Sequence, residues 1–376
     1  MDFSLSDEQS MLKDSIERFV QNDYDFDTRR KVMQADEGFS RDNWKQFAEL
    51  GWLAVPFAED DGGFGGGPIE MMLVLEQIGR GLVVEPYLPS VVLAGGLLKH
   101  AGSEAQKASH LAGIIDGSKL GAFGFAEPQG RFNLADLTTT AKKDGDGYTL
   151  SGHKAVVLGG PSADFFIVSA RTSGDQRDAD GISLFIVEAD ASGVTRRDYP
   201  TVDGLRACEL MLDGVKVGAD AVVGEIDKAG PVIERVIDEA TLAVGCEAVG
   251  GMEVLYKATV EYSKQRVQFG QPIGKFQVLQ HRMVDMFMEY EQSKSLMYMA
   301  AMRLEEGYDT EAKKAVSAFK VQVGKSARFV GQQAVQLHGG MGMTEELAVG
   351  HYFKRLTMID TLFGNVDFHL KRYGSL

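Results

Sequence analysis

The most constraining feature of this sequence is that its hydrophobic periodicity changes twice. Up to about position 120, apolar residues recur at the spacing of amphipathic helices. Short β-rich runs separated by Gly and Asp clusters then follow, and from about position 230 long helical patterns return. Because a change of period marks a change of element type, the sequence predicts three consecutive domains. Their expected bounds are 1–119 for a helical domain, 120–226 for a β-domain and 227–376 for a second helical domain.

Local signals predict the elements of each domain. Ser6 and Gln9 have the spacing of a capping box, so a helix is expected near the start of the chain. The β-runs have the length and spacing of a sandwich or small barrel. Four long helical patterns predict a C-terminal four-helix bundle, and the predicted fold class is α+β and multidomain. The predicted helices lie at about 43–51, 67–80, 87–100, 232–265, 277–306, 310–337 and 345–361.

Composition excludes several classes of function. The 376 residues carry a formal net charge of −15 without a run of Lys or Arg, which argues against a nucleic-acid or anionic-membrane surface. The only cysteines, Cys208 and Cys246, lie in apolar surroundings, which fits a reducing compartment, so the cytoplasm is expected. The first residues lack the pattern of a signal peptide, and no apolar run has the length of a membrane span. The scattered histidines predict no metal site.

Glycines interrupt the first helix of the predicted bundle. Gly245, Gly250 and Gly251 all fall within the 232–265 pattern, where glycine lowers helix stability. Either close packing against another helix or a ligand passing nearby would explain them. The sequence leaves both explanations open.

Three short motifs occur at the ends of predicted elements. Glu127-Pro128 follows the first β-run, a segment beginning at Arg266 ends the first bundle helix, and Gln336-Leu-His-Gly-Gly ends the third. Taken singly, an Arg at a helix end or a Gly-Gly cap is common. In this order and within this helix, sheet, helix layout, they resemble the acyl-CoA dehydrogenase family over essentially the whole chain. The resemblance implies that family's fold: an N-terminal helical domain, a middle β-sandwich or barrel and a C-terminal four-helix bundle.

The resemblance also implies a cofactor and a reaction. Members of the family hold FAD, and its pyrophosphate and adenosine end lies against the bundle of a neighbouring subunit. A carboxylate removes the α-proton of an acyl-CoA thioester, a β-hydride passes to the flavin, and electron-transfer flavoprotein accepts the electrons. An Arg can donate a bidentate fork to pyrophosphate, and glycines let backbone N–H groups approach it. The matching cofactor-binding positions here are Arg266, Gln268, Phe269, Gln277, Gln336, Gly339 and Gly340.

The expected catalytic base is missing. Many members of the family carry it as a Glu before a Gly-Thr pair near the C-terminus, where this sequence has Phe363. Others carry it on the first bundle helix, one residue before an Arg, and counting back from Arg266 those two positions fall on Ala240 and Thr241. The sequence therefore predicts no catalytic residue at either position.

Three nearby groups are weak substitutes for that base. Glu239 is adjacent to the helix position, but it lies about 100° around the helix and fits a solvent-exposed or salt-bridged residue better. Asp367 and His369 follow the C-terminal position, where the start of a final helix and an interchain contact are the alternatives.

The β-domain departs from the family at matching places. The family's Thr-Glu-Pro appears with Ala126 in place of Thr, and its Gly-Ser turn appears as Gly-Arg-Phe-Asn at 130–133. The Trp-Ile-Thr that flanks the flavin ring appears as Val-Val-Leu at 156–158. Hydroxyls that could hydrogen-bond the ring are thus replaced by apolar side chains. The positions for this chain's own flavin ring and base have changed, whereas those for a neighbour's pyrophosphate persist.

This asymmetry favours one hypothesis among three. The chain resembles the small, base-deficient subunit of bacterial heteromeric acyl-CoA dehydrogenases of the pimeloyl-CoA dehydrogenase type, in which a homologous partner chain carries the ring site and the base in an α₂β₂ heterotetramer. An active homomeric dehydrogenase with a displaced base is the second hypothesis, and a non-catalytic scaffold is the third. The acyl group stays open among dicarboxylyl, aromatic-ring-derived, fatty and steroid side-chain thioesters.

Overall fold

A computed structural model describes residues 4–376. The chain forms two compact units. The helical unit contains the residues up to Lys31, then Gly67–Val83 and Thr241–Leu376, and the sheet unit contains Val32–Gly66 and Val84–Ala240. Helix α8 (Gly230–Gln265) begins in the sheet unit and ends in the helical unit. The domain bounds expected from the sequence stay a prediction.

The sheet unit is built on one open eight-stranded sheet. The strands are β1 (Gly121–Gly124), β2 (Thr140–Asp144), β3 (Gly147–Leu158), β4 (Phe165–Arg171), β5 (Ile182–Glu188), β6 (Val194–Pro200), β7 (Arg206–Val217) and β8 (Val222–Val223). Their order in the sheet is β6-β7-β3-β2-β4-β5-β8, with β1 pairing in parallel with β4, so β6 and β8 are edges and the sheet is not a closed barrel. The middle β-domain predicted from the sequence is confirmed.

The sheet has two halves, β6-β7-β3-β2 and β4-β5-β8 with β1. The apolar side chains on one face of each half share a single core. Phe166 and Phe185 from β4 and β5 lie in the same buried cluster as Leu150 and Leu210 from β3 and β7. Residues of one face alternate along each strand, so this arrangement buries a complete row from each half. Strands β2 and β6 fall outside the β-rich runs of the sequence, which lie at 121–126, 148–158, 164–170, 182–189 and 208–217, and both strands are largely polar and exposed.

Short helices complete the sheet unit. The helix predicted at 87–100 forms, but its first part, Leu88–Gly95, is π-helical and only Gly96–Ala101 is α-helical. The α-helices of this unit that precede its first strand are α2 (Phe26–Met33), α3 (Arg41–Glu49), α5 (Gly96–Ala101), α6 (Glu104–Gln106) and α7 (Ala112–Ile115), of which α2 begins in the helical unit.

The helical unit follows the predicted pattern closely. The capping box forms, with Gln9 N–H donating to Ser6 Oγ at 3.1 Å, and the first helix buries Ile16 and Phe19. The four long C-terminal helices are present, and a fifth, shorter helix follows them. Besides α8, the helices are α1 (Asp7–Asn22), α4 (Pro68–Gly81), α9 (Gln277–Glu306), α10 (Thr310–His338), α11 (Ala348–Thr361) and α12 (Val366–Ser375). Between residues 4 and 376, no helix is both long and apolar enough to cross a membrane.

Glycines let the backbones of α4 and α8 touch. A Cβ atom built on Gly250 would lie 2.0 Å from the carbonyl oxygen of Glu76, and one built on Gly79 would lie 1.9 Å from that of Glu247. A Cβ on Gly245 would lie 2.4 Å from the ring of Phe319. Close helix packing therefore accounts for the glycines within α8.

Candidate functional site

Arg266 lies at the base of an exposed hairpin. The hairpin follows α8 and consists of β9 (Val267–Gln268) and β10 (Gln271–Pro272), which pair in antiparallel register. Its two central residues both have positive φ, 53° at Phe269 and 79° at Gly270, as a type I′ turn requires. The Phe269 side chain is 92% exposed. Among residues 4–376, the Arg266 guanidinium has no hydrogen-bond or ion-pair partner, so its donors are available.

The glycine motif lies beside the end of α8. Helix α10 is capped at its C-terminus by Gly339, which has φ 61° and ψ −139°, a conformation that favours glycine. The ring of His338, one residue earlier, stacks on Tyr262 with centroids 4.3 Å apart. Because Tyr262 lies one helical turn before Arg266, the stack places the hairpin base next to the glycine turn.

The predicted cofactor residues are therefore brought together on the surface of the helical unit. Gln277 is the first residue of α9, which follows the hairpin, and Gln336 is exposed in the last turn of α10. A Cβ on Gly339 or Gly340 would meet no atom within 4 Å, so their backbone faces open space. A free guanidinium beside an open glycine backbone fits the phosphate end of FAD.

Phe363 occupies a tightly held turn between α11 and α12. Its side chain is 8% exposed, and its φ of 56° is unusual for a residue with a side chain. The next residue, Gly364, has φ 116°, and a Cβ there would lie 2.4 Å from the Phe368 ring. An apolar ring thus occupies the position at which the resemblance places a carboxylate.

Glu239 is paired and not free to act as a base. Its carboxylate lies 2.9 Å from His100 Nε2 and 3.2 Å from Arg235 Nε, while the neighbouring Ala240 is fully buried. Burial opposes ionisation of Glu239, but the hydrogen bond and charge of His100 hold its pKa below the ordinary value. This geometry agrees with the salt-bridge alternative for Glu239.

The other two substitutes also have ordinary structural positions. Asp367 is exposed in the first turn of α12, where a carboxylate complements the helix dipole. His369 is 1% exposed inside its own chain, which corrects the expectation of an interchain contact. Burial lowers the pKa of His369 to about 3, so its ring is neutral. These positions weigh against both residues as bases.

The changed positions of the sheet unit also lie together. Ala155 N–H donates to the carbonyl of Ala126 at 2.8 Å, so the altered Thr-Glu-Pro and Trp-Ile-Thr segments are neighbours. Val156 is 43% exposed with φ 52°, an outlier for a β-branched residue. The side chains of Ala126 and Val156 bring no hydrogen-bonding group to this surface, so it does not fit the polar edge of a flavin ring.

A buried ion pair that sequence reasoning missed joins Glu127, in the first of these segments, to Lys154 on β3. Lys154 Nζ lies 2.7 Å from Glu127 Oε1, and both side chains have no exposed surface. Glu127 also accepts from the N–H and hydroxyl of Thr138. Burial alone would raise the pKa of Glu127, but Lys154 and these donors lower it to about 2. A Lys within a strand otherwise rich in apolar residues was the available signal.

A second missed residue is Lys320 on α10. It is fully buried and its Nζ donates to the carbonyls of Asp360, Leu362 and Gly364 at 3.1, 2.9 and 2.6 Å. The helical spacing of its apolar neighbours on α10 would have placed Lys320 on the inner face.

The similarity of this chain to known proteins extends over essentially its whole length. The acyl-CoA dehydrogenase N-terminal, middle and C-terminal domain families match residues 6–118, 122–215 and 230–374. The probable acyl-CoA dehydrogenase YngJ of Bacillus subtilis is 31% identical over 354 residues, covering 93% of this chain and 92% of that protein.

Solved structures give the same result. The ChsE4-ChsE5 complex of Mycobacterium tuberculosis matches with a TM-score of 0.91 and 27% identity, covering 100% of this chain and 98% of the matched chain. Butyryl-CoA dehydrogenase of Megasphaera elsdenii matches with a TM-score of 0.92 and 29% identity, covering 100% and 99%. The predicted fold is confirmed. The chain belongs to the acyl-CoA dehydrogenase family, whose members are FAD-dependent oxidoreductases.

Proposed function

We propose that this chain is the base-deficient subunit of a heteromeric FAD-dependent acyl-CoA dehydrogenase. In such a complex the flavin, when bound, accepts the hydride from the acyl-CoA thioester. This chain supplies Arg266, the hairpin and the glycine turn to the pyrophosphate end of a cofactor whose ring is held by a homologous partner chain. The partner also supplies the base, and electron-transfer flavoprotein accepts the electrons.

The observation that carries this proposal is the contrast between two parts of the helical unit. Among residues 4–376 the exposed Arg266 guanidinium has no side-chain partner, and it lies next to the Gly339 turn, where a Cβ on Gly339 or Gly340 would meet no atom within 4 Å. Phe363, in contrast, is buried in the turn where the base is expected. If the chain served only as a scaffold, an unpaired guanidinium beside an open glycine backbone would have no purpose. The positions of Glu239, Asp367 and His369 do not favour a displaced base.

An exposed apolar surface supports a homologous chain as the partner. Val284, Phe287 and Met288 on α9 are each exposed by 44% or more, and Met343 beyond the glycine turn is 75% exposed. The three α9 side chains lie within about one turn of the helix, and exposed apolar side chains grouped in this way mark interaction surfaces. The structural relatives include the ChsE4-ChsE5 complex and the Tcur3481-Tcur3483 steroid ACAD, each named for two different components. These relatives support an assembly of unlike chains.

Replacing Arg266 tests the proposal directly. The chain is co-expressed with a homologous acyl-CoA dehydrogenase chain that carries the Glu, and bound flavin is measured by absorbance per complex. Arg266→Ala removes charge-assisted hydrogen bonds worth about 1.5–3 kcal/mol, so the FAD dissociation constant is expected to rise by roughly 10- to 150-fold. The chain purified alone is expected to carry no flavin.

Arg303→Ala is the matched control, because Arg303 is also exposed on the helical unit but pairs with Glu306 at 2.7 Å. This variant is expected to retain flavin fully. Undiminished flavin in the Arg266→Ala complex would contradict the proposal. One flavin per chain together with turnover by this chain alone would instead support the displaced-base hypothesis.

A further inference from the structure

The turn that carries Phe363 is held by a buried lysine, Lys320, and not by carboxylates. The Lys320 ammonium has three N–H donors, and the three carbonyls of Asp360, Leu362 and Gly364 accept them. The Asp360 carboxylate is directed to Arg328, 2.7 Å away. Lys320 therefore binds the turn mainly through backbone oxygens, much as a bound metal ion would.

The remaining carbonyl of the turn is bound from α12. His369 Nε2 lies 3.1 Å from the carbonyl oxygen of Phe363, and because a carbonyl only accepts, Nε2 carries the proton. His369 Nδ1 is then an acceptor facing the Ser317 hydroxyl at 3.3 Å, and Arg372 donates to that hydroxyl at 3.1 Å. Hydrogen bonds thus connect Arg372 to Phe363 through Ser317 and His369.

These bonds stabilise a conformation that the turn would not adopt by itself. Phe363 has a left-handed φ, which is unfavourable for a residue with a Cβ atom. Such residues persist when the surrounding structure fixes them, and they occur often at functional sites. Burial of an ammonium without a paired anion is also costly, and burial lowers the pKa of Lys320 to about 7. Two unfavourable features, the left-handed φ of Phe363 and the buried ammonium of Lys320, therefore occur together where the Phe363 side chain is held.

We propose that Lys320 is a positioning residue that fixes the side chain at position 363. In this chain it holds the Phe363 ring as a permanent occupant of the position of the base. The functional meaning of this position rests on the function proposed above, whereas the positioning itself depends only on the contacts of the helical unit. Lys320 acts through the turn and not on a substrate.

A tryptophan reporter tests this role without flavin or partner. In the full chain carrying Phe363→Trp, the new indole is expected to emit at short wavelength and to be shielded from acrylamide, because Phe363 is buried. Adding Lys320→Met is expected to shift this emission to longer wavelength and to raise the quenching rate several-fold. The native Trp44 and Trp52, both buried in the sheet unit, provide the background to be subtracted.

Lys325→Met is the matched control, since Lys325 lies on the same helix but is exposed. It is expected to leave the reporter unchanged. If Lys320→Met does not accumulate as folded protein, the comparison uses Lys320→Gln, whose amide retains two donors and should give an intermediate quenching rate. A reporter that stays shielded in the folded Lys320 variant overturns the proposal. The reporter measures tryptophan fluorescence and not bound flavin. That outcome can therefore be distinguished from a failure of the Arg266 experiment.

Discussion

Lys154→Met is expected to lower the free energy of unfolding by about 3–5 kcal/mol, because it leaves the Glu127 carboxylate buried without its cation. Lys154 and Glu127 are both inaccessible and 2.7 Å apart. Methionine has a similar shape, so the effect reports the lost charge and not a cavity. Urea denaturation followed by circular dichroism measures the change.

The double variant Lys154→Met/Glu127→Gln is the control, since it removes both charges. It is expected to recover much of the loss, because the amide oxygen of Gln still accepts from Thr138. Equal stability of the single and double variants would contradict this account.

The pH dependence of the stability of the native chain has a definite sign. The pKa of Glu127 is lowered to about 2 in the folded state from an ordinary 4.5, so its contribution is present above pH 4.5 and disappears as the pH falls through 2.

Gly250→Ala is expected to destabilise the chain by about 1–3 kcal/mol, even though alanine favours helix by about 1 kcal/mol. The added Cβ would lie 2.0 Å from the carbonyl oxygen of Glu76, and the backbone of α4 cannot yield as a flexible side chain would. Helices α4 and α8 must therefore move apart. A lower midpoint of thermal unfolding is the expected observation.

Gly374→Ala is the control, because a Cβ on Gly374 in helix α12 meets no atom within 4 Å. This variant should be neutral or slightly stabilising, as expected for a helix glycine in open space. If Gly250→Ala were equally neutral, the contact between the two helix backbones would not be as close as described.

The sequence predicted those elements whose apolar pattern is complete. Helix α9 has the bounds expected from its periodicity, 277–306. Strand β6 was missed because its residues are polar and exposed, so neither face shows an apolar row. The π-helical part of 88–95 was missed because burial of every residue there hides the helical period.

The site could be predicted only where residue types are diagnostic. A free Arg266 beside a glycine turn follows from motifs, and the structure brings them together through Tyr262 and His338, which no motif contained. Lys320 was missed because its partners are carbonyl oxygens of residues about 40 positions away. Backbone acceptors leave no signature in side-chain identity, so only the folded turn reveals them.

The exposed hairpin has a consequence for the life of the chain in a cell. Phe269 at its tip and Met343 beyond the glycine turn present apolar surface to solvent. An unassembled copy would offer that surface to chaperones and proteases, which remove chains that display hydrophobic residues. In the heteromeric assembly proposed above, synthesis without the partner is therefore expected to give a short half-life, and the abundance of this chain should follow that of its partner. Assembly would then act as the quality control that keeps the two subunits in equal number.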